Sequence, residues 1–232
     1  MVRALFIDML EGRVGAEVYD PYRRKLGILV SFDSEVDGRV TKVSVLLYGS
    51  GEIRDYAPDA IEIEGDRIIV KPAWKTFAEK TRESYKRAVR RMKHLEEMYH
   101  KKEIPAQVYR EFAKRLEKEI RKLRDQLTKV REMIQKRKRE LEIERDMVIR
   151  SKTALRLSFL SGEIRPDAYR TAFEKLKDIE ESIELEWKDL EETLKKLDEF
   201  EEVKISNEQK KIEEETAVAP SAAQPIPVKI IE

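Results

Sequence analysis

The period of the apolar positions changes once along this chain, and the change divides it into two kinds of structure. Up to Pro72 the apolar residues come in short runs at 16–19, 26–32, 40–48, 60–64 and 67–70, separated by the turn sequences DPYRRK, DGR, GSGE and EGD. Val43, Val45 and Leu47 alternate with Lys42, Ser44 and Leu46, the period-2 pattern of a strand with one buried face. About six short strands in roughly 70 residues predict a compact barrel, because closing a sheet removes its exposed edges. A barrel that small is filled by its own side chains, so no substrate cavity is expected.

After Pro72 the spacing becomes helical. Trp74, Phe77, Thr81, Ala88, Met92, Leu95 and Met98 or Tyr99 recur at threes and fours, which predicts a first helix starting at the Pro72, Ala73, Trp74 junction. A second helix is predicted over about 105–160, with Leu116, Ile120, Leu123, Leu127, Val130 and Ile134 alternating steps of four and three as a heptad seam. Beyond Ile134 one seam position stays apolar (Leu141, Val148, Leu155) while the other becomes Arg137, Glu144 and Ser151, so looser packing is expected there. A third helix, over about 167–203, carries Phe173, Leu176, Ile183, Trp187, Leu190, Leu194 and Leu197 on one stripe. At 1.5 Å per residue the second helix is roughly 84 Å long, a length suited to a rod or filament subunit.

A repeat marks where the helices end. Tyr99, Glu103, Ile104, Tyr109 and Leu116 match Phe159, Glu163, Ile164, Tyr169 and Leu176 at an offset of 60, with Pro105 and Pro166 beside each break. The residue before a proline is biased away from helix, so breaks are expected near 101–105 and 161–166. Two architectures fit: an up-down-up hairpin in which the second helix pairs with the first and then the third, or continuous kinked helices.

Composition restricts the chemistry. The chain has no Cys and only His94 and His100 as histidines, which argues against disulfides, thiolate or His-rich metal centres and a His-based triad. No phosphate-cradling glycine loop or nucleophile elbow is present, and GSGE at 49–52 reads as a hairpin turn, so no enzyme activity and no cofactor are expected. Asp8 and Glu11 fall where a signal peptide needs apolar or small residues, and no apolar run approaches a membrane span; a soluble, cytoplasmic protein is expected. The single Asn, at 207, and the Glu, Lys and Arg richness hint at a thermophilic source, although coiled-coil composition produces the same numbers.

The chain is 41% charged with a net charge of only +1, and the near-cancellation is uneven. Residues 1–72 carry a net of −3, residues 73–150 carry +11 and residues 151–232 carry −7. Arg87, Arg90 and Arg91, with the run Lys136, Arg137, Lys138 and Arg139, are the candidates for contact with anionic lipid or DNA. No aromatic interleaves with the run, which argues against base stacking and leaves only sequence-independent contact. The competing reading is a solvated coiled-coil face neutralised by the acidic third helix.

Past residue 203 the periodicity stops. Residues 205–224 read as a disordered linker that cannot bury enough apolar surface to order itself. The chain then ends in Pro225, Ile226, Pro227, Val228, Lys229, Ile230 and Ile231, in which the prolines favour an extended backbone and Val228 and Ile230 alternate with Lys229. That is the pattern of a strand that adds to an exposed sheet edge, of a partner or of this chain's own barrel.

Two resemblances follow from these residues. The string VGAEVYDPYRRKLGILVSFDSEVDGRVTKVSV at 14–45, with AIEIEGDRIIVKP after it, resembles the PRC-barrel family of adaptor modules. The barrel-like front, the Trp74-led charged coiled coil with its EIP and GEI breaks, the linker and the terminal PIPVKII together resemble the CdvA family of archaeal cell-division proteins. The resemblance implies an α+β chain: a PRC-like barrel over 1–72, a coiled-coil domain over 73–204, a linker over 205–224 and a partner-binding peptide over 225–232. It also implies filament assembly at the membrane of the mid-cell division site. The terminal peptide would bind the winged-helix domain of the ESCRT-III homologue CdvB by completing its sheet, and some members are associated with DNA. A nucleoid-associated DNA-binding protein and a ribosome-maturation adaptor are the alternative readings.

Overall fold

The computed structural model describes residues 4–217, and side chains as far as residue 198. Six strands come first: β1 (Glu17–Tyr19), β2 (Lys25–Ser34), β3 (Val40–Leu47), β4 (Ile53–Tyr56), β5 (Ile61–Glu64) and β6 (Arg67–Val70). Three long helices follow: α1 (Ala73–His100), α2 (Ala106–Leu160) and α3 (Pro166–Ala217). The sheet and the helices up to Leu194 form one compact unit; from Lys195 the chain belongs to a second, whose described part is the continuation of α3.

The strands form one sheet in the order β4-β3-β2-β1-β6-β5, antiparallel except where β1 runs parallel to β6. The expected closed barrel is not formed, because β4 and β5 end the order without pairing. Only 57–60 joins them, and Pro58 opens a single 3-10 turn in that span, which leaves β4 as a four-residue edge with Ile53 exposed. The sheet nevertheless curls around a core of Leu5, Leu10, Val18, Leu29, Val40, Val43, Val45, Ile61, Ile68 and Val70. The register of β2 against β3 shifts twice, between Leu29 and Ser31 and between Asp33 and Ser34, and such bulges bend and twist a strand. Gly27 allows the tight start of this curl: a Cβ there would lie 2.0 Å from the Leu46 carbonyl oxygen. Ser44, on the nominally polar side of β3, is buried too, because its hydroxyl donates to Asp55 on β4 at 2.7 Å.

Helix α1 leaves the sheet directly from Pro72 and buries Trp74, Ala78, Thr81, Tyr85 and Ala88 at steps of four and three. Helix α2 buries Leu123, Leu127, Val130, Ile134, Leu141 and Val148, while Leu116 and Ile120 are half-buried. The helices reverse rather than kink. Tyr99 stacks on Tyr109 with ring centroids 4.4 Å apart, and Phe159 stacks on Tyr169 at 4.3 Å. Contacts of Arg137 with Glu186 and of Lys152 with Glu180 show α3 rising in number as α2 falls, the antiparallel order of a hairpin.

Both reversals use the same backbone device. The amides of Lys101, Lys102 and Glu103 return to the carbonyls of Glu97, Tyr99 and Met98, and those of Ser161, Gly162 and Glu163 return to Leu157, Phe159 and Ser158. The turning residue has positive φ in each: Lys102 at 60° and Gly162 at 77°. Helix α3 runs on to Ala217, so 205–217 is helical where a linker is expected from the composition. That stretch, ISNEQKKIEEETA, lacks Gly and Pro and is rich in the helix formers Glu, Lys and Gln.

Candidate interaction surfaces

A densely bonded site lies where the β1–β2 turn meets the helices. The turn DPYRRK is built on Asp20, whose Oδ1 accepts from the amides of Tyr22 at 2.9 Å and Arg24 at 2.8 Å. This folds the turn so that Tyr22, Arg23 and Arg24 face α3. The Tyr22 hydroxyl donates to Asp189 at 2.8 Å, which also accepts from Lys75 of α1 at 2.6 Å. Arg23 pairs with Glu181 at 2.8 Å. Arg24 reaches Glu186 at 2.5 Å, and Arg137 of α2 grips the same carboxylate with Nε at 2.7 Å and Nη2 at 2.9 Å. One buried carboxylate thus joins the sheet, α2 and α3.

The electrostatics follow from burial against pairing. Burial pushes the Glu186 carboxyl up, but the hydrogen bonds from Arg137 and Arg24 prevail and hold it below the ordinary glutamate value. The bonds to Glu186, with help from Glu140 and Glu144, raise the Arg137 guanidinium. Burial raises Asp20 despite its backbone hydrogen bonds and the charge of Arg24. Tyr22 is raised by burial and by its bond to Asp189. These groups are structural ion-pair partners: a hydrogen-bonded network of this kind favours one arrangement of packed elements, although Nη2 of Arg24 is buried without a partner.

The expectation of looser packing at Arg137 and Glu144 is therefore corrected. Arg137 bonds Glu144 at 3.0 Å and Glu140 at 3.1 Å, so the seam there is joined by partly exposed ion pairs around the buried Glu186, while Ser151, the third expected position, is exposed. The signal lay in the facing stripe of α3, where Glu186 interrupts Ile183 and Leu190, both buried.

The same contacts divide the basic run. Four consecutive residues point around a helix at about 100° each and cannot share a face. Arg137 is committed to Glu186, and Lys138 pairs with Glu191 at 3.2 Å while lying 4.1 Å from the Trp187 ring centroid. Lys136 and Arg139 face solvent, Lys136 with only a 4.0 Å approach to Glu140. Arg87, Arg90 and Arg91 are exposed on α1. On the α3 side of the seam Leu194 and Trp187 are half-buried. Pro225, Ile226, Pro227, Val228, Lys229, Ile230 and Ile231 lie outside the described residues.

Among the described residues, no group of three or more His, Asp or Glu could hold a metal ion, and no helix is long and apolar enough to cross a membrane.

Comparison with known proteins places these surfaces in a family. Over 192 residues the chain is 31% identical to Cell division protein A of Sulfolobus acidocaldarius, an alignment covering 83% of this chain and 80% of that protein. No solved structure matches the chain. Residues 73–218, which hold all three helices, match the model of the CdvA-like coiled-coil domain, and with that match the chain belongs to the CdvA-like coiled-coil family.

Proposed function

We propose that this protein is a non-enzymatic cell-division scaffold that self-assembles at the membrane of the division site and recruits an ESCRT-III-like CdvB subunit through its C-terminal peptide. The cell-division role is supported by the similarity to Cell division protein A over most of both chains, and that observation carries the reading. Residues 225–231 supply the capture step, with Val228 and Ile230 on one face of an added strand and the partner's winged-helix domain supplying the open edge. Many copies in one assembly multiply a weak hook into a strong one, so modest affinity per peptide suffices. Deleting 224–232 is expected to abolish co-sedimentation of CdvB with the assembled protein while leaving helicity and assembly intact; undiminished capture refutes the reading.

A second reading, sequence-independent DNA binding, is favoured by the exposure of Arg87, Arg90 and Arg91 along α1. Replacing these three with Ala, together with Lys136 and Arg139, is expected to weaken DNA binding and to flatten its salt dependence. The paired Arg137 and Lys138 are left in place so that stability is unaffected.

A further inference from the structure

Helix α2 carries a second apolar stripe that no other described residue covers. Ile143, Met147, Ala154 and Leu157 follow one another at heptad spacing, with Arg150 at the middle position, and all five are exposed. Ile143 is 62% exposed, Met147 55% and Leu157 66%. The seam that packs on α3 uses Leu141, Val148 and Leu155, so this stripe lies on the opposite side of the same helix. A helix with two apolar seams needs a partner for each.

We propose that this face is a self-association surface, on which the α2 helix of a second copy lies antiparallel about a two-fold axis at Arg150. The occupant follows from the symmetry of the stripe. Ile143 and Leu157 stand seven residues, or about two turns, on either side of Arg150, so an antiparallel copy sets each against the other. Large Met147 then falls beside small Ala154 of the second copy, and small Ala154 beside its Met147, the alternation that lets facing layers interdigitate. An isologous contact requires such self-complementarity, whereas a foreign helix imposes none.

The charges agree. Asp146 is one turn before Arg150, so across the axis each Arg150 lies about 6 Å along the helix from the Asp146 of the other copy, within reach of an arginine side chain. The two-fold also sets Arg150 beside the Arg150 of the other copy, with an Asp146 from across the interface on either side of that pair, whereas a parallel in-register arrangement would stack Asp146 on Asp146 as well. The flanking Thr153 is small and exposed and admits close approach.

This assignment deepens the self-assembly half of the scaffold reading and is independent of the C-terminal hook. The chain has no cysteine, so single substitutions report proximity without background. Full-length chains carrying Ile143→Cys and Leu157→Cys are mixed and mildly oxidised; the mixed disulfide dimer is expected to exceed either like-with-like dimer by about tenfold. In parallel, Leu157→Asp is expected to weaken self-association about tenfold in light scattering, with far-UV circular dichroism unchanged. Asp146→Arg is expected to do the same, and the exchange D146R/R150D to restore it. Like-with-like linkage at 143 as strong as the mixed linkage, or no linkage with undiminished association of Leu157→Asp, overturns the proposal. Loss of CdvB capture with cross-linking intact strikes the scaffold reading alone.

Discussion

Replacing Glu186 by Gln tests how the sheet is held to the helices. The Glu186 side chain is 3% exposed and accepts three short hydrogen bonds from two arginines, whose side chains are 27% and 23% exposed. Breaking a buried ion pair by neutralising one partner costs about 3–5 kcal/mol, because the remaining charge is stranded. Here both arginines keep some water, and Arg137 retains Glu140 and Glu144, so the expected loss is at the low end, about 3 kcal/mol. For a chain of this size that corresponds to a fall in Tm of roughly 6–12 °C.

Urea unfolding followed by far-UV circular dichroism measures the loss, and trypsin locates it. Arg23 and Arg24 lie in the docked turn, so cleavage there should accelerate in the variant before the helices are cut. The contrasting variant is Arg24→Met with Glu186→Leu and Arg137→Met, which removes all three charges together. It is expected to lose less than Glu186→Gln, since the desolvation of the three ions disappears with their attraction and what remains is the lost pairing at Asp20, Glu140 and Glu144. A Glu186→Gln loss below about 0.5 kcal/mol, or a triple variant worse than the single one, would falsify the account of this node.

Acid should act on the same node. Because the folded-state value of Glu186 is depressed, its contribution is complete above the unfolded value and is lost as pH falls through the folded one, so it should fade below about pH 4 and be missing from Glu186→Gln. Asp20, raised by burial, acts in the opposite sense, contributing at low pH and losing that contribution as pH rises through its folded value. Gly27→Ala places a methyl against the backbone of β3 and should cost at least about 2 kcal/mol, read as lost near-UV signal from the sheet. Lys102→Gly should stabilise by about 0.5–1 kcal/mol and Gly162→Ala should destabilise by about 1 kcal/mol, because both positions need positive φ; equal effects of the same sign would contradict the shared turn geometry.

The long helices were legible because helical spacing is a local property: every step of three or four from Leu123 to Ile134 is written within one segment. The reversals were legible for a similar reason, since Pro105, Pro166 and Gly162 disfavour helix whatever surrounds them. Strand β4 was not, because IRDY has two charged residues among four and its support is the bond between Asp55 and Ser44 on another strand. Whether the sheet closes depends on the reach of the 57–60 connection, which no alternation records. The docking node was hidden in plain charges. Arg137 reads as one of four basic residues until α3 brings Glu186 to it from 49 positions away. The outer stripe of α2 was likewise concealed, since Ile143, Met147 and Leu157 become conspicuous only once Leu141 and Val148 are known to face α3.

The two stacked-aromatic reversals make α2 a gauge of fixed length. Tyr99 on Tyr109 clamps one end of the helix and Phe159 on Tyr169 clamps the other, so neither hairpin can slip by a heptad without losing a stacked pair and a positive-φ turn. The distance between the reversals is therefore set by a residue count, about 80 Å for 55 residues, and not by the balance of forces along the seams. Seven residues inserted between 110 and 137 should be tolerated only when α1 is lengthened to match, and seven inserted between 141 and 157 only when α3 is.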